Sequence, residues 1–251
     1  MVEHFLVPPG MSLAGVLVLV IVSLFTSMIS AAFGLGGGVT LLAVMPVFMP
    51  PQVLIPVHGM VQIGSNFGRL LVMRQHVRWT VLLPFGLGSG LGAGLGGLLM
   101  VELPVWLLEL GLGSFILYML YGRVPAIGAG GMALGGAVSS FLTMFFGATG
   151  PFVATWVKHL ALDRLGHVGT FAACMSLQHG LKIAVFGLLG FAYGPYLGLI
   201  AAMVGSGFIG TLLGRRLLIR LGEHRFERGL RVILSLLALR LLWRGLSGPG
   251  G

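Results

Sequence analysis

Charge is scarce in this sequence. Only 8% of its 251 residues are Asp, Glu, Lys or Arg, while 57% are hydrophobic and the mean hydropathy is +1.03. A chain so poor in charge cannot clothe a water-soluble globule, whose surface must be largely polar. One long soluble domain is excluded, and the composition falls in the membrane class. Acidic residues are scarcest, six in all. Glu3, Glu223 and Glu227 lie outside the apolar runs, and Glu102 and Glu109 lie near one boundary. A carboxylate relay for protons or cations at mid-membrane therefore has few candidates, which favours an anion as cargo. The single cysteine, Cys174, cannot form an internal disulfide and offers no CxxC pair. It reads as a small buried hydrophobe.

Enzyme signatures are missing too. The sequence has no GxxxxGK[ST] phosphate loop, no HExxH zinc motif and no GxSxG nucleophile elbow. The glycines at 34–38 open no soluble βαβ unit, so a dinucleotide fold is excluded. No cofactor, metal site or enzymatic activity is expected. The formal charge of +9 would suggest nucleic acid in a soluble protein. Here the basic residues cluster in short loops, as cytoplasmic loops of membrane proteins do, and no nucleic-acid partner is expected.

What the sequence does have is long apolar runs. They fall at roughly 12–33, 37–49, 53–73, 78–100, 103–121, 126–146, 150–160, 166–188, 191–214 and 227–245. Eight are long enough, or nearly so, to cross a bilayer core of about 30 Å as helices. Two, 37–49 and 150–160, are too short, and both follow glycine-rich breaks at Gly34–Gly38 and Gly147–Pro151. Met1–His4 lacks a basic leader region, and the run from Met11 to Phe33 is too long for a signal-peptide core, so it reads as a first membrane helix. The fold class expected is all-α, a polytopic transmembrane bundle.

The chain also matches itself at an offset of 113 residues. Phe33 falls on Phe146, Gly37 on Gly150, Asn66 on His179, Arg69 on Lys182, and Gly92, Gly94 and Gly97 on Gly205, Gly207 and Gly210. Basic residues inside apolar runs are rare, so the Arg69/Lys182 match weighs most. Two repeats are expected, 1–122 and 123–251. Charge gives their relative orientation. The Arg74–Arg78 loop is basic, whereas its mate at 187–191 is uncharged; the loop at Glu102 is acidic, whereas its mate opens the basic stretch Arg215, Arg216, Arg220, Arg225, Arg228 and Arg231. Equivalent loops on opposite sides mean inverted repeats, with each short segment acting as a broken crossing and both termini outside, although Arg240 and Arg244, read as topology charges, argue mildly against an outside C-terminus. The row Gly86, Gly88, Gly90, Gly92, Gly94, Gly96 predicts small-residue packing faces on both sides of one helix. The stretch 222–228 reads as a surface linker. His167, Lys158, Asp163 and Arg164 read as topology determinants, and Trp79, Trp106 and Trp243 as an interfacial belt.

Candidate binding residues follow from the breaks. Unwound backbone at membrane depth is tolerated only where protein or a water-filled cavity satisfies it. A helix starting there aims free N–H groups and its positive dipole end into the cavity, which suits an anion. Gly36, Gly37 and Gly38 supply one such start, Thr149 and Gly150 the other, with Pro151 suited to a first helical turn. His58, Gln62, Ser65 and Arg69 share one helix face, with Asn66 beside it. The second repeat offers Gln178, His179 and Lys182, with Met175 and Phe171 completing its face. Ionisable groups inside a membrane are costly and mark functional sites by default. Against that, Arg69 and Lys182 could snorkel to opposite interfaces, and Gln62 and Asn66 could serve helix contacts. The reading is an alternating-access carrier of a small anion, with proton coupling through His58 or His179. A membrane scaffold that moves nothing is the alternative.

The pattern Ala31-Ala32-Phe33-Gly34-Leu35-Gly36-Gly37-Gly38, followed by Pro46 and Pro50-Pro51, resembles the sulfite exporter TauE/SafE family of membrane permeases. Gly147-Ala148-Thr149-Gly150-Pro151 looks like that family's weaker second copy. The resemblance implies secondary transport of sulfite or a C2 organosulfonate such as sulfoacetate or a taurine-derived compound, at a site between the repeats. It implies a multi-pass protein of the bacterial inner membrane and leaves a homo-oligomer open. Some relatives carry cysteines proposed to handle sulfur compounds; the lone Cys174 departs from that.

Overall fold

A computed structural model describes residues 6–33, 36–122, 131–217 and 223–248. Among them there are ten α-helices and no strands. They are α1 (Leu13–Phe33), α2 (Gly37–Val44), α3 (Pro51–Met73), α4 (Leu82–Glu102), α5 (Val105–Tyr121), α6 (Met132–Phe146), α7 (Gly150–Lys158), α8 (Arg164–Leu188), α9 (Leu197–Leu217) and α10 (Glu223–Ser247). An all-helical chain is what lipid demands, because a helix satisfies its own backbone polar groups. Four stretches, within Leu13–Ser30, Trp79–Met100, Leu165–Leu188 and Gly194–Leu213, are long and apolar enough to cross a membrane by length and composition alone. Helix α3 has 23 residues but owes its lower apolarity to His58, Gln62, Asn66 and Arg69. The protein is a polytopic helical membrane bundle.

The helix boundaries follow local chemistry. Pro50 and Pro51 start α3, since a first-turn proline lacks only an N–H that would be unpaired anyway. Asp163 caps α8 by accepting from Gly166 N at 2.8 Å. Helix α6 stops at Gly147, whose φ of +78° is left-handed. The chain enters α2 through Gly36, φ +100°. These boundaries repeat along the chain. Helices α1 and α6 end at Phe33 and Phe146, α2 and α7 begin at Gly37 and Gly150, and α3 and α8 begin at Pro51 and Arg164, each pair 113 residues apart. Helix α8 is 25 residues against 23 for α3, so α4 and α9 begin 115 apart.

Packing crosses between the halves. Helix α1 lies chiefly against α9, α4 against α6, α3 against α8, and α5 against α10. Close approaches give the directions. Gly59 meets Lys182, Gly180 meets Ile63 and Gly169 meets Met73, so α3 and α8 run antiparallel. Gly113 meets Ala238, Gly245 meets Leu110, and Tyr121 Oη lies 2.7 Å from Ser235 Oγ, so α5 and α10 are antiparallel too. Helices α4 and α6 are parallel, with Gly88 on Ala133, Gly92 on Ala137 and Gly96 on Phe141. So are α1 and α9, with Gly210 on Leu24 and Ser206 Oγ donating to Val20 O at 2.8 Å.

Three expectations change. The glycine row of α4 packs mainly on one side: a side chain at Gly90 or Gly94 would meet nothing within 4 Å. That open side continues into exposed Leu83, Leu87, Leu91 and Leu95, a lipid-type stripe at four-residue spacing. Next, the expected linker at 222–228 is helical from Glu223, and Arg215 and Arg216 belong to α9, so the basic stretch is mostly helix ends rather than loop. Arg220 and Gly222 lie outside the described residues, as do Gly34 and Leu35 of the first break. Last, Arg244 is committed to protein rather than to topology. Its Nη2 lies 2.9 Å from Oε1 of Glu109, a buried carboxylate. The lone Cys174 is buried, as expected.

Candidate functional site

Both glycine breaks face one small cavity between α2, α3, α7 and α8. It holds about 40 Å³. Gly36, Gly38 and Val39 line it from the first break, and Ala148, Gly150 and Pro151 from the second. Gln62, Asn66 and Arg69 of α3 form one wall, Phe171, Met175 and His179 of α8 the other, and Ser30 closes the side of α1. The first turns of α2 and α7 thus meet at the same space, and the dipoles of both short helices turn their positive ends toward it.

Local bonds hold the polar wall. Arg69 Nη2 donates to Asn66 Oδ1 at 2.9 Å, and Arg69 Nε reaches Ser65 O at 3.4 Å. Asn66 Nδ2 donates to Gln62 O at 2.8 Å. Arg69 therefore folds back along its own helix toward the cavity instead of reaching for the interface. No acidic residue lines the cavity among the described residues, so its electrostatic sign comes from the guanidinium and the helix starts.

Seven of the twelve expected residues line this cavity: Gly36, Gly38, Gln62, Asn66, Arg69, Gly150 and His179. The other five stand behind it. Gly37 packs on the Thr26 carbonyl, where any side chain would collide with backbone. Thr149 and Gln178 build a buried brace. Gln178 Nε2 donates to Thr149 Oγ1 at 2.6 Å, and Ser139 Oγ donates to Gln178 Oε1 at 3.1 Å. This ties α6, the start of α7 and α8 together. His58 Nε2 donates to Gly38 O at 3.0 Å, which turns its ring away from the face it shares with Gln62 and Arg69 by spacing. Lys182 is fully buried and does not snorkel; its Nζ reaches Gly147 O at 3.5 Å.

Ser30, Val39 and Ala148 were not anticipated. Ser30 had a signal: Ser23, Thr26, Ser27 and Ser30 follow i, i+3, i+4, i+7 on α1, one polar helix face just before the break. Val39 and Ala148 carry no such mark.

The approach of α2 to α3 gives a test. A methyl group at Gly38 would run into Gln62 Nε2, the free end of a flexible side chain. Gly38→Ala is therefore expected to melt within a few degrees of the parent while displacing the Gln62 amide from the cavity wall. Anion affinity should fall about tenfold, the value of roughly one hydrogen bond. Unchanged affinity by equilibrium binding would remove Gln62 from the site.

No curated protein and no solved structure matches the chain. A family model described as Sulfite exporter TauE/SafE matches residues 19–241. That span takes in both breaks, both walls of the cavity and all four cross-half helix pairings. The chain belongs to the sulfite exporter TauE/SafE family of membrane permeases.

Proposed function

We propose that this protein is a secondary transporter of a small sulfur oxyanion, sulfite in the first instance, working by alternating access between inverted repeats 1–122 and 123–251. The observation that carries the reading is the cavity: two helix starts and Arg69 converge on it, and no carboxylate lines it among the described residues. About 40 Å³ accommodates roughly three water positions at 10–15 Å³ each, room for a small oxyanion.

Antiparallel packing of α3 on α8 and of α5 on α10 supports inversion, because these are equivalent helices of the two halves. Parallel packing of α1 with α9 and of α4 with α6 supports it as well: in repeats of like orientation those partners would run oppositely. Counting each break as one crossing sets Arg74, Arg78, Lys158, Arg164, Arg215 and Arg216 on one face, and Glu102 and Glu109 toward the other. That is the charge bias of a bacterial inner-membrane protein with the basic face in the cytoplasm. The two halves would rock about the cavity, exposing it to each side in turn.

Thermal unfolding of the detergent-purified protein against sulfite, sulfate, thiosulfate, sulfoacetate, taurine and chloride tests the reading. A ligand that binds the folded state alone at a hundred times its Kd adds about 2.7 kcal/mol, a shift of several degrees. Sulfite should give the largest shift, and Arg69→Gln should reduce it. Silence toward every anion, with Arg69→Gln indistinguishable from the parent, favours the non-transporting scaffold instead.

A further inference from the structure

The surroundings of Lys182 are not explained by the cavity. Its ammonium is fully buried, and its one polar contact is the 3.5 Å reach to Gly147 O. That carbonyl also accepts from Thr143 Oγ1 at 2.9 Å. No carboxylate lies within ion-pairing distance of Lys182 among the described residues. A lone buried charge of this kind is costly unless something neutralises it. Two more buried groups sit beside it. His58 keeps Nδ1 unpartnered, and His179 keeps both ring nitrogens unpartnered, with the two ring centroids 6.3 Å apart. Three unpartnered imidazole nitrogens and an ammonium with one long hydrogen bond thus meet at one level of the bundle; His58 Nδ1 is an acceptor, because Nε2 carries that ring's proton, whereas His179 has an N–H to donate. Gly59 makes the room, since a methyl there would come 2.9 Å from Lys182 Cε.

This cluster is separate from the Arg69 cavity. Because α3 and α8 are antiparallel, Lys182 sits opposite Gly59, ten residues from Arg69. At 1.5 Å per residue these helix positions stand about 15 Å apart, and because Arg69 folds back to Ser65 and Asn66 the two cations are about 10 Å apart along the bundle. His179 belongs to both, lining the cavity and facing His58.

We propose that Lys182 Nζ and a ring N–H of His179 form a second oxyanion site on the far side of His179 from the Arg69 cavity, and that the transported anion passes between the two. The inference rests on the transport reading above. The bound species is a small oxyanion of one or two negative charges. Arg69 and Lys182, equivalent positions of the two halves, then each hold the anion at one end of the path.

Equilibrium binding of isotope-labelled sulfite to the purified full-length chain tests this. The parent should saturate at two anions per chain. Lys182→Gln and Arg69→Gln should each saturate at one, and the double variant should bind none. Lys182→Arg, which keeps the charge, should return the second site with affinity reduced several-fold. Should Lys182→Gln fail to fold, Lys182→Met, of similar length and without polar atoms, takes its place. Saturation of the parent at one anion per chain, or unchanged stoichiometry in Lys182→Gln, overturns the second site while leaving the carrier intact. No binding by the parent overturns the sulfite reading and this site with it.

Discussion

Lys182→Met is expected to melt higher than the parent and to lose transport. The two effects have one cause. Lys182 is buried with no carboxylate partner among the described residues and a single long hydrogen bond. Replacing buried charge by an apolar side chain of similar volume commonly stabilises by about 1–4 kcal/mol. In a chain of this size that is roughly 2–4 °C per kcal/mol. The lost charge should cost transport far more. Truncating one member of a buried charge pair costs about 2–5 kcal/mol, so sulfite flux into proteoliposomes should fall at least thirtyfold. A structural lysine predicts the reverse: lower melting and flux reduced only as far as folded protein is lost.

Two substitutions on one helix, two residues apart, should behave as opposites. Gly92 touches the Ala137 carbonyl so closely that no side chain fits. Leucine there must push α4 off α6, undoing the most extensive helix contact among the described residues. Overpacking a tight core costs about 1–3 kcal/mol, and against rigid backbone more. Gly92→Leu is expected to give little or no monodisperse protein by size-exclusion chromatography. Gly94 has nothing within 4 Å of a Cβ and lies on the side of the exposed Leu91 and Leu95. Gly94→Leu should purify, melt and transport like the parent. Equal damage from both would mean that α4 buries its second face against a partner.

Much of this fold could be read from the sequence because polar residues stand out in an apolar chain. The 113-residue period rested on Phe33, Gly37 and Arg69 and their mates, and three pairs of helix boundaries fall at that spacing. Seven cavity residues were legible because a broken helix start and a polar helix face are local signals. The remainder depended on what lies across the bundle. His58 shares a face with Gln62 by spacing, yet the Gly38 carbonyl of another helix captures it. Lys182 matches Arg69 in sequence, but antiparallel packing sends the equivalent positions to opposite ends of the helix pair. Arg244 read as a topology charge because its partner, Glu109, lies on a distant helix. The α4 glycines alternate in sequence, and only the position of α6 decides which side is used. The helical start of α10 at Glu223 was missed because its first turns are rich in charge rather than apolar.

The exchange of partners between the halves also governs how the protein is made. Helix α1 ends at Phe33, but the helix it packs against begins at Leu197. At about 5–20 residues per second, a ribosome needs roughly 8–30 s to cover the distance between them. During that interval the face of α1 carrying Ser23 and Ser27 must wait in lipid. Ser23 finds its acceptor, the Met203 carbonyl at 2.7 Å, only when α9 arrives. A nascent chain stalled before residue 197 therefore displays a polar seam that the finished protein hides.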